Sequence, residues 1–300
     1  MKIGIIGLGK MGGNMARRLL RKGVEVAAYN TSPGKTQQLA AEGAQAAFSL
    51  EELVAGLGSP ARVWLMLPSG QPTEDTVIKL AGLLKPGDML IEGGNSNYKD
   101  SVRRAALLKE KGIRFVDAGV SGGIWGLEKG YCIMTGGEAE DFRTIEPLLK
   151  ALCCEKGYMH CGASGSGHFT KMVHNGIEYG MMEAYGEGFE LIKASPYGAM
   201  DLAAVSDLWN AGSVVRSWLL ELAGNAFRKD PGLDKVAGWV EDSGEGRWTV
   251  QEAVERGVAL PVITLSLFKR FSSKKPEEFS DKLIAALRNE FGGHGVKARG

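Results

Sequence analysis

Along the first 160 residues, short apolar runs alternate with stretches whose apolar positions recur every three or four residues. The runs at 2–6, 25–29, 62–67, 89–92, 114–117, 131–135 and 157–160 predict strands. The patterns at 11–21, 73–84, 101–111 and 139–149 predict helices between them. Alternation of this kind builds a parallel sheet, because each crossover lays a helix on one of its faces. Pro72 and Pro86 bracket one of these helices, where a fixed φ and a missing N–H do least harm. After Gly167 the pattern changes. From 169 to 291 the apolar positions keep the helical period and strict alternation is missing. The expectation is a doubly wound, mostly parallel Rossmann-type α/β domain over 1–163, then an all-α domain over 164–300. The turn between them is expected within 161–167, a stretch of small residues.

Composition narrows the partners. Three hundred residues, 44% hydrophobic and 24% charged, supply core enough for two domains. A net charge of +1 gives no overall field for nucleic acid or an anionic membrane, so an anionic ligand must be met by local positive groups. The 43 glycines are about twice the average share and cluster in turns after apolar runs, which suggests close approach of backbone to a ligand. Cys132, Cys153, Cys154 and Cys161 show no zinc-like spacing, and two are adjacent, so neither a metal site nor a disulfide framework is expected. With no secretory apolar segment and no apolar run of about 18 residues, a reduced cytoplasmic setting is expected.

Gly7-Leu8-Gly9-Lys10-Met11-Gly12 stands directly after a strand and directly before a helix. In that context Gly7 permits the tight turn, Gly9 lets backbone approach a pyrophosphate, and Gly12 lets helix pack on strand. The helix then presents unpaired N–H groups and its positive dipole end to the phosphates. Gly7, Leu8, Gly9, Met11 and Gly12 are therefore candidate dinucleotide contacts. The second strand ends in Asn30-Thr31-Ser32-Pro33-Gly34-Lys35, with no Asp or Glu to accept from a ribose 2′-hydroxyl or repel a 2′-phosphate. Asn30, Thr31, Ser32 and Lys35 could hold that phosphate, so NADP is favoured and NAD stays open. The strand ends Met66-Leu67-Pro68 and Gly93-Gly94-Asn95 lie where ligands bind open parallel sheets, and are candidates for nicotinamide and substrate.

Lys171, His174, Asn175 and Glu178 fall at i, i+3, i+4 and i+7. At 3.6 residues per turn, Lys171, Asn175 and Glu178 project within roughly 60° of one another. An amine, an amide and a carboxylic acid then share one stripe of the first helix after the domain boundary. Lysines on helices are usually solvated, so the stripe alone leaves a bland reading open. Gly176 and Gly180 cost about 1 kcal/mol each against Ala in a helix, which argues for tight packing on the opposite side. Ser121-Gly122-Gly123 follows another strand and offers a hydroxyl and backbone N–H groups to a carboxylate or sugar, or is merely a turn. Arg216 sits in an apolar, helical-looking run and suits a phosphate, although a structural ion pair would explain it equally.

Taken together, Gly-Leu-Gly-Lys-Met-Gly at 7–12, Glu-Gly-Gly-Asn-Ser-Asn-Tyr at 92–98, Gly-Val-Ser-Gly-Gly at 119–123 and Lys-Met-Val-His-Asn-Gly-Ile-Glu-Tyr at 171–179 resemble the 6-phosphogluconate dehydrogenases in their short form. Those enzymes lie within the wider β-hydroxyacid dehydrogenases. The resemblance implies that Lys171 is the general base on the C3 hydroxyl while hydride leaves C3 for the nicotinamide. It implies that Glu178 later protonates C1, with Asn175 beside them. It places Asn95, Ser121, Gly122, Gly123, His174 and Asn175 at the sugar-acid end, and Tyr179 and Arg216 at the phosphate. The implied chemistry needs no metal, since a β-keto acid already loses CO2 readily. To serve as a base, a lysine must fall from about 10.4 toward about 7, about 4 kcal/mol of environmental bias.

Departures from the long-form pattern are visible. The chain lacks the long form's duplicated helical region, and Ile124-Trp125 replaces an acidic pair. Thr31 stands where an Arg for the 2′-phosphate is common, and Ser243 where a phosphate-binding Lys is common. His294, in the tail 291–297, is a candidate substrate contact donated by a second subunit. A homodimer or homotetramer is expected from the apolar excess of the helical half. Two rivals are kept: a dehydrogenase of a small acid such as 3-hydroxyisobutyrate, and an NADP-binding sensor without catalysis.

Overall fold

Strand β1 (Lys2–Ile6) enters helix α1 (Lys10–Arg21), and the chain then alternates through β2 (Glu25–Tyr29), α2 (Pro33–Ala41), β3 (Gln45–Ala46) and α3 (Leu50–Ala55). It continues through β4 (Arg62–Leu65), α4 (Gln71–Leu83), β5 (Met89–Glu92), α5 (Tyr98–Lys109) and β6 (Arg114–Ser121). A short 3-10 turn and α6 (Gly126–Lys129) lead to β7 (Tyr131–Gly137), α7 (Ala139–Leu152) and β8 (Cys153–Gly162). These elements come from a computed structural model, which describes residues 1–275, 277–292, 295 and 297. The chain divides into two compact units, Met1–His174 and Asn175–Gly300.

In the first unit the eight strands form one sheet in the order β3-β2-β1-β4-β5-β6-β7-β8. Every neighbouring pair is parallel except β6 with β7. The order turns back between β1 and β4, which opens a crevice at the carboxyl ends of those strands. Helices cover both faces, so alternate residues of one strand enter different cores. Val116 and Ala118 of β6 join Ile3, Ile5, Met15 and Leu19 on one face. Phe115 joins Ile6, Leu53, Val63 and Leu80 on the other. Strands buried on both sides read as continuous apolar runs, which is why these were legible without a period-2 signal.

Strand boundaries moved most at β6 and β8. Strand β6 runs on to Ser121 because Gly119 pairs with Met134 and Ser121 with Cys132 across the antiparallel ladder. That extension rests on pairing with β7, not on local apolarity. Strand β8 begins at Cys153, earlier than its apolar run suggests, and meets β7 through register shifts. Between these strands, Arg18 of α1 donates to the carbonyls of Leu127, Glu128 and Ala151 at 3.0, 3.2 and 3.2 Å. Asn14, one turn earlier on α1, donates to the Ile124 carbonyl at 3.2 Å. The loop after Ser121 is thereby fixed to the helix that follows the Gly-rich turn.

Beyond β8 the chain is helical, as its periodicity predicts. Helix α8 (Ser166–Lys193) is followed by α9 (Leu202–Gly212), α10 (Trp218–Lys229), α11 (Glu245–Arg256), α12 (Pro261–Ser272) and α13 (Phe279–Gly292). Asp201 caps α9 by accepting from the Ala203 and Ala204 N–H groups, and Ser217 caps α10 through the Leu220 N–H. Phe189, Leu220 and Phe227, with Trp209, form the core of this corner of the second unit. Arg216 is a correction to the helical run read from sequence. The Ser217 N–H is taken by Asn210 Oδ1 at 3.0 Å, and Ser217 starts a new helix, so Arg216 falls in the break between α9 and α10. Among the described residues no helix is long and apolar enough to cross a membrane.

Candidate functional site

The Gly-rich turn shows three different demands at its three glycines. Gly7 has φ +93°, and a Cβ there would sit 2.4 Å from the Met66 carbonyl oxygen. A Cβ on Gly12 would lie 2.0 Å from the Gly7 carbonyl oxygen, so α1 could not start where it does. A Cβ on Gly9 would meet nothing within 4 Å. The first two glycines serve the fold, and the third leaves room for something that is not protein. Gly9 is also the N-cap of α1 and offers no side-chain cap, so the N–H groups of the first turn are left for an anion. These features fit a dinucleotide pyrophosphate.

Asn30 braces the Gly-rich turn. Its Oδ1 accepts from the Leu8 N–H at 2.8 Å and its Nδ2 reaches the Ser32 carbonyl at 3.4 Å, so it holds the Gly-rich turn against the end of β2. Thr31, Ser32 and Lys35 remain exposed at the start of α2, whose first residue is Pro33. Leu8 is buried, Met11, Met66 and Leu67 are half-buried, and Pro68 and Asn95 are exposed.

The Lys171 helix is anchored at its first turn. Asp117, fully buried at the middle of β6, accepts from the Gly165 N–H at 2.7 Å and the His168 N–H at 2.9 Å. One carboxylate thus caps two donors that the helix cannot satisfy itself. Two residues along β6, a Cβ on Gly119 would lie 2.3 Å from Lys171 Cβ. The bare glycine is what lets α8 approach the strand and bury Lys171, which is 6% exposed. His174 Nδ1 stands 3.5 Å from Lys171 Nζ, and His174 Nε2 stands 3.4 Å from Ser121 Oγ. Ser121, His174 and Lys171 are therefore brought together within the first unit. Gly122 is half-buried beside them, while Gly123, Ile124 and Trp125 are exposed, with the Lys129 ammonium 5.6 Å from the Trp125 ring.

Helix α8 runs on unbroken into the second unit, so Asn175, Glu178 and Tyr179 keep their spacing from Lys171 along one helix. Asn175 is 8% exposed and Glu178 half-buried. A Cβ on Gly176 would lie 2.8 Å from Thr249 Cγ2, which is the tight packing that the helical glycines implied. Tyr179 is buried, and its hydroxyl is 3.5 Å from Ser243 Oγ. Over the same ring lies the Arg270 guanidinium, 3.4 Å from the centroid. Arg270 also donates to the Glu241 carbonyl at 2.9 Å. Arg247 packs on the Phe271 ring at 4.5 Å and pairs with Asp242. Burial pushes the Asp242 carboxyl up, but Arg247 and the Gly244 N–H outweigh it and hold it below its ordinary value.

Asp117 and Gly119 in the first unit, and Arg270 in the second, make contacts that sequence reasoning did not assign. Arg270 follows Lys269 in the last turn of a helix, where basic residues are ordinary, and gives no local signal, and the work of Asp117 and Gly119 depends on a helix that starts about 50 residues later. Arg216 is exposed, and no hydrogen bond, ion pair or ring contact among the described residues joins it to Tyr179. His294 lies outside the described residues.

Residues 2–162 match the family described as "NAD binding domain of 6-phosphogluconate dehydrogenase", and residues 167–283 match "6-phosphogluconate dehydrogenase, C-terminal domain". The chain belongs to the 6-phosphogluconate dehydrogenase family. Within that family it is 46% identical over 300 residues to a Bacillus subtilis protein named "Putative 6-phosphogluconate dehydrogenase YqeC", with all of both chains covered. It is 43% identical to a Haloferax volcanii protein named as an NAD(+)-dependent, decarboxylating 6-phosphogluconate dehydrogenase, covering 99% of this chain and 98% of that one. Among solved structures it resembles the Plasmodium falciparum 6-phosphogluconate dehydrogenase, with a TM-score of 0.84 and 28% identity. That match covers 100% of this chain and 66% of the other, whose description includes complexes with NADP+ and with 6-phosphogluconate. The short-form family resemblance read from the motifs is thus met, and the first unit is the family's nicotinamide-dinucleotide domain.

Proposed function

We propose that this protein oxidises and decarboxylates 6-phospho-D-gluconate to D-ribulose 5-phosphate and CO2, reducing NAD(P)+. The observation that carries the reading is Arg270 stacked on Tyr179, on the helix that also bears Lys171. A fixed cation beside a phenol hydroxyl is a phosphate receptor, and a small hydroxy acid without phosphate would have no use for it. When bound, the dinucleotide supplies the hydride acceptor at C3. Lys171, stripped of most of its water, takes the proton from the C3 hydroxyl. The resulting 3-keto acid loses CO2, and the newly charged Lys171 stabilises the enolate that forms. Glu178 then delivers a proton to C1.

Asn95, Ser121, Gly122, Gly123, His174 and Asn175 would hold the sugar-acid end. Tyr179 and Arg270 would take the phosphate, with Ser243 within reach of Tyr179 and the exposed Arg216 as a further candidate cation. Residues 1–163 would serve as the dinucleotide domain and 164–300 as the substrate and oligomerisation domain. Exposed Thr31, Ser32 and Lys35, with no carboxylate among residues 29–36, favour NADP. A homo-oligomer is proposed from the second unit, where Leu191, Val254 and Leu265 are 74, 78 and 68% exposed and an apolar cavity of about 560 Å³ opens between Phe189, Leu202 and Phe227. The setting proposed is the cytoplasm.

The deciding experiment measures initial rates with 6-phosphogluconate, gluconate and 3-hydroxyisobutyrate, each with NAD+ and with NADP+, while trapping CO2. Reduced cofactor and CO2 in equal amounts from 6-phosphogluconate alone is the expected result. Turnover of the unphosphorylated acids at comparable kcat/KM, or no turnover at all, would overturn the reading.

A further inference from the structure

Behind Asn95 and Lys171 the first unit buries a polar cluster that the chemistry above does not use. Glu92, Ser96, Ser101, Arg104 and His168 are each no more than 2% exposed. A carboxylate and a guanidinium taken out of water cost several kcal/mol apiece unless well paired. Here they are paired. Arg104 Nη1 donates to Glu92 Oε2 at 3.1 Å and to Ser96 Oγ at 3.3 Å, and Ser96 Oγ donates to Glu92 Oε1 at 2.7 Å. Arg104 Nε reaches Glu74 at 3.0 Å on its outer side.

His168 completes the cluster. Its Nδ1 lies 2.7 Å from Ser101 Oγ and 3.8 Å from Glu92 Oε2. The field of that carboxylate favours the ring proton on Nδ1, facing Ser101 and Glu92. The other nitrogen, Nε2, is buried with no hydrogen-bond partner among the described residues. An unpaired buried polar atom costs about 1–3 kcal/mol, which an apolar ring of similar size would avoid. Packing alone therefore does not account for a histidine here. What a histidine adds is the bond to Ser101 and the approach to Glu92.

Those contacts join the segment of the proposed base to the segment of a proposed substrate contact. Ser96 is the neighbour of Asn95, and His168 precedes Lys171 by three residues on the same helix. The backbone N–H of His168 is held by Asp117, and Phe169 meets the Tyr98 ring edge-on at 5.2 Å. We infer that His168, acting with Ser101 and Glu92, is a positioning residue that sets the Lys171 helix against the Asn95 loop. The inference rests on the proposed role of Lys171 as the base. A base must stand within hydrogen-bond reach of the proton it takes, and a misplacement of about 1 Å costs roughly 100-fold in rate.

The test compares wild type with His168→Phe, His168→Gln and Ser101→Ala, using 6-phosphogluconate and the preferred dinucleotide. The readouts are kcat per dinucleotide-binding site, KM for the substrate and the dinucleotide Kd. His168→Phe is expected to lower kcat about 10- to 100-fold with Kd within twofold of wild type. His168→Gln, which can still donate to Ser101, should recover most of that loss, and Ser101→Ala should fall between. Should His168→Phe fail to fold, Ser101→Ala and His168→Gln keep the comparison open, since neither leaves a large void. Wild-type kcat per binding site in Ser101→Ala together with either His168 variant would overturn the inference. So would equal losses in His168→Phe and His168→Gln. A wild type inert on 6-phosphogluconate overturns the proposed function and this inference with it, whereas an active wild type with unaffected variants removes this inference alone.

Discussion

Replacing Gly9 and Gly12 separately by alanine should split two losses that a shared motif would lump together. At Gly12 the new Cβ would lie 2.0 Å from the Gly7 carbonyl oxygen, and Cβ atoms essentially never come within 3.0 Å of a heavy atom. About 1 Å must be absorbed between a strand end and a helix start, which overpacking data put at about 1–3 kcal/mol. For a chain of this size that lowers Tm by roughly 3–10 °C. At Gly9 the φ of −67° suits any residue, and an added Cβ would meet no protein atom within 4 Å. Alanine is a poorer N-cap than glycine, so a cost of up to about 1 kcal/mol and roughly 3 °C is expected. The methyl group would instead occupy the approach of the pyrophosphate. Charging about 2–3 kcal/mol to that clash gives a dinucleotide Kd about 30- to 150-fold weaker. Thermal melts in buffer and fluorescence titrations with NADP+ and NAD+ measure both quantities on the same samples. A Gly9→Ala protein that binds like wild type, or one that melts as low as Gly12→Ala, would refute the assignment of these glycines.

Lys171→Met should abolish turnover while leaving dinucleotide Kd within about threefold; residual activity above about 1% would contradict its role as base. Arg270→Met should raise KM for 6-phosphogluconate at least about 30-fold with kcat changed far less, and phosphate inhibition should weaken in parallel; an unchanged KM would leave the Tyr179 cluster without a task. Glu74 is held down to about 2, from an ordinary 4.5, by its bonds to Arg103 and Arg104. A carboxyl with a depressed folded value stabilises the protein above its unfolded value and loses that contribution as pH falls from about 4.5 toward about 2. Glu74→Gln should therefore flatten urea-unfolding stability across that window, by less than about 2 kcal/mol because Arg103 is half exposed. An acid limb identical to wild type would exclude this.

The first unit was largely legible because its information is local. Strands buried on both faces are continuous apolar runs, helices between them keep their period, and Gly7, Gly9 and Gly12 announce themselves by position. The same holds for Lys171, Asn175 and Glu178, whose alignment follows from helix geometry once the helix is granted. What the chain order could not supply was anything made by partners distant in sequence. The extension of β6 to Ser121 needed β7, the burial of Lys171 needed the missing Cβ of Gly119, and the first turn of α8 needed Asp117. Arg216 drew attention because an arginine in an apolar run looks purposeful, yet Ser217 begins a new helix and leaves it in the break. Arg270, with no such local signal, is the cation that reaches Tyr179. Local period and steric rules are written residue by residue. Which cation meets which ring, and which carboxylate caps which helix, depends on distances that exist only after the chain has packed.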